Sequence, residues 1–203
     1  MEQHLSAFLW PLQSPAALEC FAAQGVVVIY IKVPEDMNRD AARQSLRLAA
    51  TEMLVAAFNC PAQQIRITSM LAKGVYTLVE KQELFISMSY ETEIAIAAIS
   101  SKNQVGIDIL RLAPEIEWVD LAQLYLGKQK TLEILATPAQ NQFSLFAKYW
   151  TQLEAKCKSN RMTLTEYDDQ ISAANCDMFA GIELFSLHVQ DTYIASLAVS
   201  ARA

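Results

Sequence analysis

The sequence predicts an α+β fold made of two pseudo-symmetric α/β half-domains of about 100 residues each, 1–103 and 104–203, packed against one another. Three observations point there. The order strand, helix, strands occurs twice, once in each half. The chain has 203 residues, 53% of them hydrophobic, enough to bury one substantial shared core. No low-complexity tract or flexible linker separates the halves, so they are not expected to come apart. The boundary is placed near Ser101 to Gln104.

Gly25 to Ile31 is a short apolar run rich in β-branched residues and reads as a buried strand. Val33-Pro34-Glu35-Asp36 breaks it, and a helix follows from about Asn38 to Phe58 with Leu46, Ala49, Ala50, Met53 and Ala57 as its apolar stripe. Arg39, Arg43 and Arg47 repeat every four residues on another face. That row is either a solvated face or an anion-binding one. Cys60-Pro61 ends the helix, and Ile65-Arg66-Ile67 begins an extended segment. Val75 to Val79 and Leu84 to Met88 flank Glu80-Lys81-Gln82-Glu83 as a hairpin. Ile94 to Ile99 and Val105 to Leu110 are two more strands. Pro114 opens a helix through about Leu126, and a second helical stretch covers Lys128 to Ala136. The main C-terminal helix starts after Thr137-Pro138, with Phe143, Phe146, Trp150, Leu153 and Cys157 spaced 3-4-3-4. Strands near Gly181 to Val189 and Tyr193 to Val199 close the chain.

The net charge of −6 argues against a general nucleic-acid binder, which needs a basic footprint. Four cysteines with no C-x-x-C pair, and only His4 and His188 beside them, argue against a structural zinc site and for reduced thiols packed as small hydrophobes. No apolar run approaches the roughly 20 residues that span a bilayer, and the N-terminus carries no basic leader, so a cytoplasmic location is expected.

The chemistry-bearing residues lie in two segments. Val105-Gly106-Ile107-Asp108-Ile109 places an acid in an apolar strand, which is costly to bury without a cation. In Trp150-Thr151-Gln152-Leu153-Glu154-Ala155-Lys156-Cys157-Lys158, the residues Trp150, Glu154 and Lys158 are four apart. Each step turns the helix by about 400°, so the three drift by only about 80° and share a face. Asp108 and Glu154 are therefore candidates to meet at a hard metal ion, with Lys158 one turn further on.

Four stretches together resemble the 4′-phosphopantetheinyl transferase superfamily, most closely its double-length monomeric class. They are Ala72-Lys73-Gly74 with its hairpin, Ile86-Ser87-Met88-Ser89-Tyr90, the Gly-x-Asp of Gly106 to Asp108, and the Trp-x-x-x-Glu-x-x-x-Lys of Trp150 to Lys158. The resemblance covers about Gly25 to the C-terminus. It implies the fold of that superfamily, with a coenzyme cleft between the halves. It also implies Mg²⁺-dependent transfer of 4′-phosphopantetheine from coenzyme A to a serine of an acyl or peptidyl carrier protein in fatty-acid or polyketide synthesis. The acceptor protein and coenzyme A would be the partners of a monomer. Asp108, Glu154 and Lys158 would be the catalytic residues. Lys73, Tyr90, Arg43, Arg47 and Lys158 would bind the coenzyme, and Asp108 and Glu154 the Mg²⁺.

The chain departs from the family pattern in four places. Tyr90 replaces a histidine, Leu110 stands where many bacterial members carry a further carboxylate ligand, Leu153 replaces a lysine, and Ser159 to Thr163 replaces a glycine-rich turn. Glu91, directly after Tyr90, is a candidate replacement ligand for the metal or else a turn glutamate. The alternative function is a degenerate member that binds carrier protein or coenzyme A without efficient transfer.

Overall fold

The protein is described by a computed structural model over residues 3–70, 74–79, 82–113, 117–168 and 179–200. Its strands are β1 (Gln3–Leu9), β2 (Val26–Lys32), β3 (Ile65–Met70), β4 (Gly74–Val79), β5 (Gln82–Glu91), β6 (Ile94–Ser100), β7 (Gln104–Arg111), β8 (Ile182–His188) and β9 (Tyr193–Ser200). Its helices are α1 (Ser14–Gln24), α2 (Arg39–Phe58), α3 (Trp118–Leu121), α4 (Gly127–Leu135) and α5 (Ala139–Ser159), with a π-helical turn at Ala122–Leu126. The mixed α+β class expected from the sequence is what the structure has.

The nine strands of the described residues form one sheet in the order β3-β4-β5-β6-β2-β1-β8-β9-β7. The sheet is therefore continuous across residue 103, and β1 is what makes it so. It runs parallel to β2, with Ala7 opposite Val28, and parallel to β8, with Leu5 opposite Leu187. The sheet curls until β7, hydrogen-bonded to β9 along its length, packs against β5. This nearly closes it.

The curl has an apolar interior. Val28, Ile96, Ala98, Ile107, Leu187 and Leu197 come from five strands, and Leu5, Ala7 and Leu9 of β1 pack on them. Outside, α1 and α2 cover β2, β5 and β6 through Phe21, Leu46, Met53 and Leu54 against Ile29, Ile86 and Ile99. On the other side α5 lies on β7 and β9, and carries a smaller helical layer built on Ala122, Ile134 and Phe146. Strands buried on both faces read as continuous apolar runs, which is why β2 and β6 have no alternation.

Local signals set the boundaries. The Asn38 side chain accepts from Ala41 N at 2.9 Å and caps α2, which ends at Asn59 in the left-handed region. Gly25, with φ 74°, ends α1 and turns the chain into β2. The expected strand from Gly25 thus begins one residue later. The helical stretch expected from Pro114 is seen from Trp118, and Pro114 itself lies outside the described residues.

Two elements precede those read from the sequence, β1 and α1. The alternation of Leu5, Ala7 and Leu9 was a signal for β1, but it is short and interleaved with polar residues.

Candidate functional site

The site is built where β5 and β7 meet. On β5, Ser87, Ser89 and Glu91 are two apart and share one face. Each makes a side-chain bond toward β7 in place of a backbone ladder. Ser87 Oγ accepts from Ile107 N at 3.0 Å. Ser89 Oγ donates to Asp108 Oδ1 at 2.7 Å. Glu91 Oε2 accepts from Arg111 N at 3.4 Å, while its Oε1 accepts from Thr92 N at 2.8 Å.

On β7, Val105, Ile107 and Ile109 point into the interior of the curl. Gly106 and Asp108 therefore point outward, under α5. Gly106 has to be glycine: a Cβ there would lie 1.9 Å from Ala155 O and 2.4 Å from Ser159 N. The face that α5 lays on the sheet is a row of small residues, Ala147, Thr151, Ala155 and Ser159, all essentially inaccessible. Thr151 Oγ1 and Ser196 Oγ of β9 are hydrogen-bonded at 2.8 Å across this contact. The aromatic row found in the sequence serves a different neighbour. Phe146 stacks between Trp118 and Trp150, with ring centroids 5.7 Å from each, and Trp150 meets Tyr125 edge-on at 5.6 Å, so these rings hold the helical layer. Leu153 and Cys157 line a cavity of about 610 Å³ with Tyr125, Leu164 and Phe179. Burial pushes the Cys157 thiol up to about 11, with Glu154 adding to it, so it is an inert packing thiol.

The close approach of α5 brings Lys158 onto Asp108. Lys158 Nζ donates to Asp108 Oδ1 at 2.7 Å, to Ile107 O at 3.1 Å and to Ser89 Oγ at 3.3 Å. An ammonium has three N–H bonds, and here each has an oxygen acceptor. Asp108 is 7% exposed, and Lys158 keeps 30% of its side chain in solvent. Glu154 lies within electrostatic reach of both. Burial pushes its carboxyl above the ordinary 4.5, Lys158 pulls it back, and the Asp108 charge raises it again. Asp108, Glu154 and Lys158, expected together from the spacing, are thus one cluster, and Ser89 joins them. Ser89 was not singled out in the sequence. The available signal was a Ser-x-Ser alternation in an otherwise apolar strand.

The remaining expected residues fall elsewhere. Tyr90 is on the opposite face of β5, beneath α2. Its hydroxyl donates to Met88 Sδ at 3.2 Å, and the Arg43 guanidinium carbon sits 5.8 Å from its ring centre. Burial raises the Tyr90 hydroxyl, and Arg47, Arg43 and Arg39 together oppose that rise. Arg43 is also paired with Asp40 at 3.1 Å. Arg47 Nε is buried and has no hydrogen-bond partner among the described residues. Glu91 spends its carboxylate on the backbone amides of Thr92, in the β5–β6 turn, and of Arg111, at the end of β7; Arg111 and Glu93 also approach at 3.8 Å, and Tyr193 Oη donates to Thr92 O at 2.6 Å. Lys73 lies outside the described residues.

Among the described residues no three His, Cys, Asp or Glu side chains gather closely enough to hold a metal ion. Asp108 and Glu154 do supply two carboxylates against one ammonium, a charge surplus that a cation would relieve. Magnesium commonly keeps several waters and takes only one or two protein carboxylates, so this donor set fits it. Among the described residues no helix is long and apolar enough to cross a membrane. No protein-family model matches the chain, and no curated protein matches it either.

Proposed function

We propose that the chain transfers 4′-phosphopantetheine from coenzyme A to a serine hydroxyl of an acyl or peptidyl carrier protein. On this reading the halves 1–103 and 104–203 are the two pseudo-symmetric units of the superfamily fold, joined through β1. The single observation that carries the reading is the convergence of Asp108 from β7 with Glu154 and Lys158 from α5. They belong to two of the four stretches that resemble the superfamily, and they meet at a partly solvent-accessible place.

In the reaction, the acceptor serine oxygen attacks the phosphorus on the pantetheine side of the diphosphate. The P–O bond to adenosine 3′,5′-bisphosphate breaks and takes the electron pair. Glu154 is the acceptor of the serine proton. Lys158 offers its ammonium to a phosphate oxygen once it leaves Asp108. A divalent cation held by Asp108 and Glu154 would supply positive charge to the diphosphate. Arg43 and Arg47, whose charges both bear on Tyr90, are the cations for the coenzyme's remaining phosphate. Glu91, bound to backbone amides, has the environment of a turn residue rather than a ligand.

Incubation with coenzyme A, Mg²⁺ and a panel of apo carrier proteins, read by intact mass, tests this. The expected result is a phosphopantetheine adduct on at least one carrier. No adduct on any carrier overturns transfer. A second reading then stands, a binding-only member that recognises carrier protein or coenzyme A. The observation favouring it is that all three Lys158 donors are spent inside the protein, with Leu110 and Leu153 at positions where the family has polar groups.

A further inference from the structure

We infer that Lys158 is an internal counter-cation which a divalent metal must displace, so that metal and diphosphate bind as a mutually dependent pair. The inference rests on the reading above, in which Asp108 and Glu154 hold the metal and the ligand is a diphosphate. Its basis is the occupancy of the cluster.

Donors come first. The ammonium has three N–H bonds, and Asp108 Oδ1, Ile107 O and Ser89 Oγ take them at 2.7, 3.1 and 3.3 Å. None is left for a phosphate while the pair is closed. Acceptors follow. Asp108 Oδ1 receives both the Lys158 ammonium and the Ser89 hydroxyl. A metal arriving alone has to compete with a charge-assisted bond already formed. Charge completes the case. With both carboxylates ionised, Asp108, Glu154 and Lys158 sum to one net negative charge, which repels an anion. A dication turns that into one net positive charge, which attracts it.

Each partner alone therefore meets an obstacle that the other removes. The metal takes Asp108, and the released ammonium turns to the phosphate. Lys158 is able to make that move, because its long side chain is 30% exposed on the rim of the cluster. Linkage then requires the metal to strengthen coenzyme binding by the same factor as the coenzyme strengthens metal binding.

Titration calorimetry on the full chain, with Mg²⁺ alone, coenzyme A alone and each in the presence of the other, measures the coupling. In the wild type each Kd tightens by about tenfold or more, a coupling of about 1.4 kcal/mol. Lys158→Met separates this from the simple bridging of a diphosphate by the metal, because its two effects have opposite sign. Mg²⁺ alone binds more tightly than to the wild type, since Asp108 then keeps only the Ser89 hydroxyl. Coenzyme A with Mg²⁺ binds more weakly, and the coupling falls to about threefold or less. Should Lys158→Met fail to fold, wild-type protein labelled with ¹⁵N at lysine Nζ gives the same answer. The Lys158 ammonium signal moves when Mg²⁺ and coenzyme A are added together and stays with either alone. Independent binding of the two ligands, full coupling in Lys158→Met, or an ammonium signal that never moves overturns the inference and leaves the transferase reading standing. Failure of coenzyme A to bind under any condition overturns both.

Discussion

Replacing Gly106 by alanine tests the architecture of the site with one methyl group. The added Cβ would sit 1.9 Å from Ala155 O, 2.4 Å from Ser159 N and 3.0 Å from Ala155 C. Bringing the first contact to an ordinary 3.4–4 Å requires the helix and strand to part by roughly 1.5–2.1 Å along that line. The opposing atoms are main chain, so no side-chain rotation and no smaller residue at 155 or 159 relieves the clash. α5 must shift as a body, which breaks its inaccessible contacts through Ala147, Thr151, Ala155 and Ser159. Over-packing of a core costs about 1–3 kcal/mol even where side chains can yield. A main-chain clash at this distance belongs at or above the top of that range, about 3 kcal/mol. For a chain of this size that lowers Tm by about 6–12 °C, at roughly 2–4 °C per kcal/mol. The same shift carries Glu154 and Lys158, the neighbours of Ala155 and Ser159, away from Asp108. Transfer activity should therefore be lost at temperatures where the variant is still folded. Thermal melts by circular dichroism and the intact-mass assay read the two effects. A Gly106→Ala variant melting within 2 °C of the wild type would refute the packing of α5 on β7 described above.

Other substitutions probe single contacts. Ser87→Ala removes the acceptor of the Ile107 amide and should cost about 1–3 kcal/mol in urea unfolding, the penalty of a buried unpaired donor; a loss below about 0.5 kcal/mol would show that water takes its place. Glu154→Gln should abolish transfer and yet raise the Tm at pH 7. The folded carboxyl titrates above its ordinary 4.5, so the stability it contributes is complete below 4.5 and is lost as pH rises through the folded value. Glutamine imitates the protonated form and keeps that stability, so the two melting curves should converge near pH 4. Melting points that differ equally at pH 4 and pH 7 would contradict the cause assigned to Glu154. Arg47→Met removes a buried Nε with no partner, so it should leave stability unchanged or improved while weakening coenzyme A binding by about tenfold or more, the value of a charge-assisted bond. Dephospho-coenzyme A should bind both proteins alike, and calorimetry that finds an equal loss for it would remove Arg47 from the phosphate.

Much of the fold was legible because runs such as GVVVIYI and the spacing of Leu46, Ala50 and Met53 report burial directly. The single sheet was not. It depends on β1, a seven-residue strand whose inward residues are Leu5, Ala7 and Leu9, and strand order is a long-range property that periodicity does not encode. The cluster of Asp108, Glu154 and Lys158 was legible from an acid in an apolar strand and a four-residue spacing. Its internal satisfaction by Ser89 and Ile107 O was not, because that depends on how near α5 comes to β7. The closeness was written in small residues, Gly106, Ala155 and Ser159, which carry little hydrophobic signal. The aromatic row on α5 drew attention to the face turned toward the helical layer instead. Tyr90 and Glu91 are neighbours in sequence and diverge in space, as consecutive residues of a strand must.

The way β7 is finished has a bearing on how copies of this chain behave in a crowded solution. One edge of β7 pairs with β9, and the other is a row of backbone groups of the kind that templates intermolecular polymerisation. Here Ser87 takes the Ile107 amide, Lys158 takes the Ile107 carbonyl, and Glu91 takes the Arg111 amide. The residues around the proposed chemistry are therefore also plugs on a sticky edge. Loosening them would expose a strand able to recruit another molecule, so colloidal stability and the proposed transfer would depend on the same few side chains.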